Sequence, residues 1–250
     1  MNSAGRTAGF DEDEPVTTIL FDLFGTLVTY SASRTEQGYP RAAAVLEGAG
    51  CTVAYDEWLS AWDQVSARMD AEAEVSGVEF SMLDAYAAFA PLAGVDPDDA
   101  DLAAAFLVTY LEEWSAAVAV VEGAAAMLER LDVAGHRNVL VSNTHDADMV
   151  RGHLAAMGLL PHLSAVITSV EVGLRKPRPE IYAAALDPFG VDAADALFVG
   201  DEFRADYEGP TALGMEAYLI VPDGAPGPSL LPPDRRLSSV LDLEARLAGR

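Results

Sequence analysis

ILFDLFGTLV, residues 19–28, sets an apolar run, an aspartate and a glycine-bearing turn side by side. A run that is apolar at every position, rather than at alternate ones, predicts a strand covered on both faces, as in a parallel sheet. The strand spans 17–22 and delivers Asp22 to its carboxyl end. Four further runs share the pattern: NVLVS (138–142), AVITS (165–169), ALFVG (196–200) and AYLIV (217–221). Between these last four lie helical stretches at 146–157, 179–189 and 203–213, long enough to serve as crossovers. The strand–helix alternation predicts an α/β fold, a doubly wound parallel sheet with right-handed crossovers.

The gap between the first and second strands is of another kind. No convincing strand is read in it, only helical patterns near 36–48, 55–72, 81–92 and 99–118, then one at 121–134 that leads back to the sheet. The expected organisation is a flexible acidic tail over 1–14, an α/β core formed by 15–31 with 115–250, and a helical bundle over 32–114 inserted after the first strand. The proline-rich stretch PDGAPGPSLLPPDRR (222–236) reads as a surface loop, and a closing helix is expected near 238–247.

Composition narrows the function. The 250 residues carry a formal net charge of -25, which repels nucleic-acid backbones and anionic lipid. The expected partner is a small, anionic substrate, with no nucleic acid and no membrane, and such a substrate needs a locally positive pocket. The single cysteine, Cys51, excludes an internal disulfide and a cysteine metal cluster. No apolar run approaches a membrane span of roughly 20 residues, and the N-terminus lacks a signal-peptide layout, so a cytoplasmic protein is expected. No GxGxxG follows any strand, which removes a dinucleotide-binding reading.

One lysine survives among fourteen arginines: Lys176, in GLRKPRPE (173–180). A compact ammonium does what a planar guanidinium fork cannot. In an open parallel sheet, ligands sit outside the carboxyl ends of the strands. There the first strand presents Asp22, the second Ser142 and Asn143, and the fourth, through ALFVGDEFRAD (196–206), Asp201 and Glu202; Lys176 lies just past the third. Two acids at one mouth repel each other unless a cation lies between them, and hard oxygen ligands suit magnesium. Asp22 is then a nucleophile able to form an aspartyl phosphate. Ser142, nearby backbone N–H groups and Lys176 would cradle the phosphoryl oxygens.

In order, FDLFGTLV, VSN, GLRKPRPEIY and FVGDEFRAD resemble the four motifs of the haloacid dehalogenase-like hydrolase superfamily, over nearly the whole chain. The resemblance implies a Rossmann-like core with a helical cap inserted after the first motif, and magnesium as cofactor. It makes Asp22, Ser142 and Lys176 catalytic, and places Ser142, Asn143, Lys176 and Phe24 around the phosphate. The metal ligands it implies are Asp22, Asp201 and the main-chain carbonyl of Phe24. Gly25 permits the tight turn.

One position departs from the phosphatase pattern. Phosphatases resembling this chain carry a second aspartate two residues past the nucleophile, as general acid and base; here Phe24 stands there. General acid–base catalysis is worth roughly 10²–10⁴-fold. Dehalogenases of the superfamily carry an aromatic residue at that place, and a halide leaves without a proton. Yet GDEFRAD resembles the metal-binding GDxxxxD pattern of the phosphatases. The leading expectation is a magnesium-dependent hydrolase of a small phosphorylated metabolite. The alternatives are C–halogen hydrolysis through an aspartyl ester, and a weakly active or inactive binding protein. The missing proton has three accounts: an acidic leaving group, a donor such as His145, Tyr30 or a cap side chain, or slight activity.

Other residues carry plainer expectations. Trp58, Trp62 and Trp114 are read as core anchors of the bundle, and Asp206 either supports the metal or Lys176 or pairs with Arg204. Arg34 and Arg41 are surface charges near the bundle's entrance, within reach of an anionic substrate.

Overall fold

In the computed structural model, residues 17–248 are described. Two hydrophobic clusters lie on opposite faces of one sheet, and a third occupies a helical segment of its own. The first strand shows why its sequence is apolar throughout. In β1 (Thr18–Phe21), Ile19 and Phe21 enter one cluster while Leu20 enters the other. Successive strand side chains point to opposite faces, so a sheet covered on both sides needs apolar residues at every position. Burying each such side chain contributes about 1.5–3 kcal/mol.

After β1 come β2 (Val28–Thr29), α1 (Pro40–Gly48), α2 (Tyr55–Ser76), α3 (Met82–Phe89), α4 (Ala100–Ser115) and β3 (Ala119–Val120). The chain then returns through α5 (Ala124–Val133), β4 (Arg137–Ser142), α6 (Ala147–Ala156), β5 (Ala165–Thr168), α7 (Ser169–Val172) and α8 (Pro179–Leu186). It closes with β6 (Ala196–Gly200), a π-helical turn at Phe203–Glu208, α9 (Gly209–Ala212), β7 (Glu216–Ile220), β8 (Arg236–Leu237) and α10 (Leu243–Leu247). The six-stranded sheet has the order β5-β4-β1-β6-β7-β8, parallel at each pairing. Helices α5 and α6 cover one face and α8 the other. The winding reverses at β1, between β4 and β6, so a crevice opens beyond the carboxyl ends of these three strands.

Helices α1 to α4 are held by their own aromatic cluster. Trp62 meets Phe89 edge-on at 5.2 Å and Phe106 at 5.3 Å, and Trp58 meets Phe106 at 6.0 Å. Ser81 and Asp84 form a reciprocal capping box at the start of α3, and Asp99 caps α4. Each such cap is worth about 1 kcal/mol. Helix α2 stops at Gly77, whose φ of 74° is open to glycine at little cost.

The sequence pattern and the structure differ in several places. The segment between the first two core strands was expected to hold no strand, yet β2 and β3 pair antiparallel at its two ends. Each has two residues, too short for periodicity to register. Likewise β8, at the edge of the proline-rich stretch, is a two-residue strand. The first helix of the insertion starts at Pro40 rather than 36, because proline favours the first helical position. The helix expected over 203–213 opens with the π-helical turn, in the residues that carry Asp206. The expected 1–14 tail lies outside the described residues.

Candidate active site

A cavity of about 460 Å³ opens over the carboxyl ends of β1, β4 and β6, against the inner side of the insertion. Asp22 follows β1 directly and is 7% exposed. Lys176, 2% exposed, donates from Nζ to Asp22 Oδ1 and to Asp206 Oδ1, both at 2.7 Å. Asp206 is held from its other oxygen, since the backbone N–H groups of Asp201 and Glu202 donate to Oδ2 at 3.1 and 2.9 Å. Of the two roles weighed for Asp206, the structure shows the lysine contact; Arg204 pairs instead with Glu74.

Carboxylate oxygens of Asp22, Asp201 and Asp206 all lie within 4.8 Å of one another. Two glycines make room for them. A Cβ on Gly25, whose φ is 87°, would stand 2.1 Å from an Asp201 oxygen, and one on Gly200 would stand 2.3 Å from the Asp206 carboxyl carbon. Three negative charges against one ammonium leave a formal excess of two. The protonation equilibria show the resulting stress. Burial, only partly offset by Lys176 and worsened by Asp206, pushes Asp22 up to about 6. Asp201, at the open side, is pushed up to about 7 by desolvation of its carboxyl group, then by repulsion from Asp22 and Asp206. Burial opposes the charge on Lys176, but Asp206 and Asp22 together outweigh it and hold the ammonium above its ordinary range. This donor set, hard, anionic and short of two positive charges, fits a divalent cation such as magnesium.

Asn143 lines the cavity, but its amide is spent on the chain: Nδ2 donates to the carbonyl of Lys176 at 3.1 Å, and Oδ1 accepts from the N–H of Lys176 at 2.8 Å. It positions the lysine loop. Ser142, at the end of β4, is wholly buried and its hydroxyl makes a long 3.5 Å contact with the carbonyl of Asn143. Among the described residues it is not part of the cavity lining. The structure therefore brings together Asp22, Asp201 and Lys176, with Asn143 behind the lysine and Ser142 beside the site.

Phe24 borders the cavity within an aromatic group, 5.3 Å from Tyr30 and 5.7 Å from Trp114 by ring centroids. Trp58 and Trp62 are core residues of the insertion as expected, whereas Trp114 is half-buried and also lines the cavity. Arg41 pairs with Glu112 at the surface, while Arg34 lines the cavity.

A second ionic cluster lies along the same cavity, where the insertion meets the sheet. His145 lies between Glu79 (Nδ1 to Oε1, 3.1 Å) and Asp70 (Nε2 to Oδ1, 3.1 Å), and stacks on Phe80 at 4.0 Å. Arg34 donates to Asp70 at 2.7 Å, Ser169 to Glu79 at 2.7 Å, and Arg175 lies 3.7 Å from Glu79. Burial favours neutral imidazole, but the bonds to Asp70 and Glu79 prevail and raise the pKa of His145. Burial of Asp70 and Glu79 is likewise outweighed, chiefly by His145, and both are held below the usual carboxylate range. Backbone bonds accompany this clamp: Met82 N–H to His145 carbonyl, Glu79 to Gly173 and Arg175 to Gly77, each 3.0 Å. Sequence reasoning did not single out Asp70, Glu79 or Arg175. In a chain with 40 acidic residues, two more acids on a helix and its following loop give no signal.

A model of the haloacid dehalogenase-like hydrolase family matches residues 16–214. The haloacid dehalogenase-like hydrolase domain-containing protein 3 of Homo sapiens is 35% identical over 114 residues, covering 46% of this chain and 43% of that one. The phosphoglycolate phosphatase of Rhodospirillum rubrum is 30% identical over 186 residues, 73% of this chain and 70% of that one. The chain spans about half the length of the vertebrate relatives it matches. Among solved structures, a 2-haloacid dehalogenase from Pseudomonas syringae superposes with a TM-score of 0.70 at 21% identity, over 94% of this chain and 99% of that one. At that identity the likeness concerns the fold.

Proposed function

The chain belongs to the haloacid dehalogenase-like hydrolases, and within that family we propose a magnesium-dependent hydrolase of a small phosphorylated metabolite, acting through an aspartyl phosphate on Asp22. The observation that carries the reading is the charge imbalance at the strand ends: three carboxylates within 4.8 Å and a single buried ammonium. A magnesium ion held by Asp22, Asp201 and the carbonyl of Phe24 would supply the positive charge that lets an anionic phosphate approach an anionic nucleophile.

The protein's own residues do the rest. Lys176 fixes the Asp22 carboxylate through Oδ1, and its charge favours the ionised form needed for attack. Asp206 holds Lys176 from the other side, and Asn143 holds its backbone. Ser142 and the N–H groups at the end of β4 are assigned to the phosphoryl oxygens, on the strength of the motif resemblance. Helices α1 to α4 act as a cap that excludes bulk water and selects the substrate. The substrate is small and anionic, and neither nucleic acid nor membrane is a partner, consistent with the net charge of -25. Among the described residues no helix is long and apolar enough to cross a membrane; a cytoplasmic location is part of the proposal.

The test is a panel of phosphomonoesters with magnesium, with chelator, and with Asp22→Asn. Turnover that needs both the ion and Asp22, with phosphoryl label on Asp22, is the expected result; turnover indifferent to chelator would count against it. A second reading, C–halogen hydrolysis through an ester on Asp22, draws on the Phe24 ring, since a halide needs no proton donor. It predicts release of halide from 2-haloacids in the presence of chelator.

A further inference from the structure

Beside Asp22 the cavity wall is aromatic, and that wall narrows the substrate class. We infer that the site takes aryl phosphomonoesters, whose leaving group departs as a phenolate without a proton from the protein. The inference rests on the phosphohydrolase reading and deepens it.

The first observation is the wall itself. Phe24, Tyr30 and Trp114 form a closed triangle of rings, with centroids 5.3, 5.7 and 6.3 Å apart, and all three line the cavity that Asp22 enters. Tyr30 is 40% exposed, so its ring keeps an open face. Met149 and Leu111 extend the apolar surface. A planar aromatic group adds to such a cluster by stacked or edge-on contact, whereas a polyhydroxylated group loses hydration there without gaining partners.

The second observation concerns protons. Among the described cavity-lining residues, two side chains able to give one, His145 and Lys176, are engaged elsewhere. Both ring nitrogens of His145 bond to Asp70 and Glu79, and its ring is stacked on Phe80. The ammonium of Lys176 is shared between Asp22 and Asp206. Tyr30 presents a phenol on the same wall, and its part is read from the Tyr30→Phe variant. An alkoxide, strongly basic, leaves such a site slowly; a phenolate needs no help. In the first step an Asp22 oxygen bonds to phosphorus, and the phosphorus–oxygen bond to the ring breaks, its electron pair leaving on the phenolate. In the second, water attacks phosphorus, the bond to Asp22 breaks and returns its pair to the carboxylate, and both protons of the water leave on dihydrogen phosphate.

The test measures kcat/KM of the unaltered protein, with magnesium, for aryl phosphates of graded phenol acidity, for alkyl phosphates, and for acetyl phosphate. Rates are expected to fall steadily as the leaving group becomes more basic, with alkyl phosphates trailing by roughly 10²–10⁴-fold, the value of an absent general acid. Acetyl phosphate, which needs no proton but has no ring, is expected to show a KM about two- to tenfold above that of an aryl phosphate. Trp114→Ala should close that gap. A flat dependence on the leaving group overturns the inference and leaves the phosphohydrolase reading standing. So does alkyl turnover that vanishes selectively in Tyr30→Phe, which would make that hydroxyl the donor. Failure of every phosphate, with no label on Asp22, removes the parent reading and this one with it.

Discussion

Two ionic clusters face the same cavity with different balances of charge. At the strand ends, Asp22, Asp201 and Asp206 face the single cation Lys176. Where the helical insertion meets the sheet, Asp70 and Glu79 face Arg34, Arg175 and His145. Both are largely withdrawn from water, and both are dense in hydrogen bonds. In the second the acids are matched, and their carboxyls titrate below the usual range; in the first they exceed the cations, and two of them are pushed up toward neutrality. Burial and ion pairing alone therefore do not mark a reaction centre. What sets the strand-end group apart is a surplus of one sign at the mouth of a cavity.

The largest expected effect breaks the surplus at its centre. Asp22→Asn should lower turnover by roughly 10⁴–10⁶-fold, as loss of a covalent nucleophile does, while the melting temperature stays close to that of the parent. Next, Lys176→Met removes the one cation and leaves Asp22 and Asp206 facing each other. Stripping one partner from a buried ionic group costs about 3–5 kcal/mol, readable from the denaturant midpoint. Lys176→Arg should not restore it, because a planar fork cannot take the place of a point charge between two carboxylates.

Magnesium should sharpen the contrast from the other side. The raised values of Asp22 and Asp201 mean that, without a cation, the folded protein loses stability as pH climbs from the ordinary carboxylate pKa of 3.8 toward about 7. Magnesium at a hundredfold excess over its Kd stabilises by about 2.7 kcal/mol, and the shift in Tm should be larger near about pH 8 than near about pH 5. Equal shifts at both would argue that these carboxylates do not hold the ion.

The smallest effect belongs to the balanced cluster. His145→Gln should cost about 1–3 kcal/mol, through weakened bonds to Asp70 and Glu79, and should flatten the pH dependence of stability. The raised pKa of His145 gives a contribution that is full below the ordinary histidine value and fades as pH rises through the raised one. The lowered values of Asp70 and Glu79 give one that is present above the ordinary carboxylate range and fades as pH falls. The clamp is strongest between these limits. If His145→Gln proves as costly as Lys176→Met, the contrast between the clusters fails.

Much of this architecture was readable from residues alone, and the reason is local. Strands such as β1 and β6 are apolar on both faces because both faces are covered, so a run of four or five residues declares itself. Asp22 and Asp201 were legible because each directly follows such a run. What escaped reading depends on partners distant in sequence. The ribbon of β2 and β3 pairs residues about ninety positions apart through two-residue strands. Glu79 gains its meaning only from Ser169, His145 and Arg175. Trp114 fits the apolar pattern of its helix, and nothing in that pattern says that its ring also meets Phe24 at the cavity wall. Ser142 shows the converse: its place in a motif was plain, yet the side chain is fully buried and its hydroxyl makes a long 3.5 Å contact with the Asn143 carbonyl.

The pairing of Val28 with Val120 and of Thr29 with Ala119 brings the departing and returning chain to a single spot. To the sheet, everything beyond that spot is one long loop whose ends already touch. A different insert with the same pair of ends could be spliced there without rethreading any core strand.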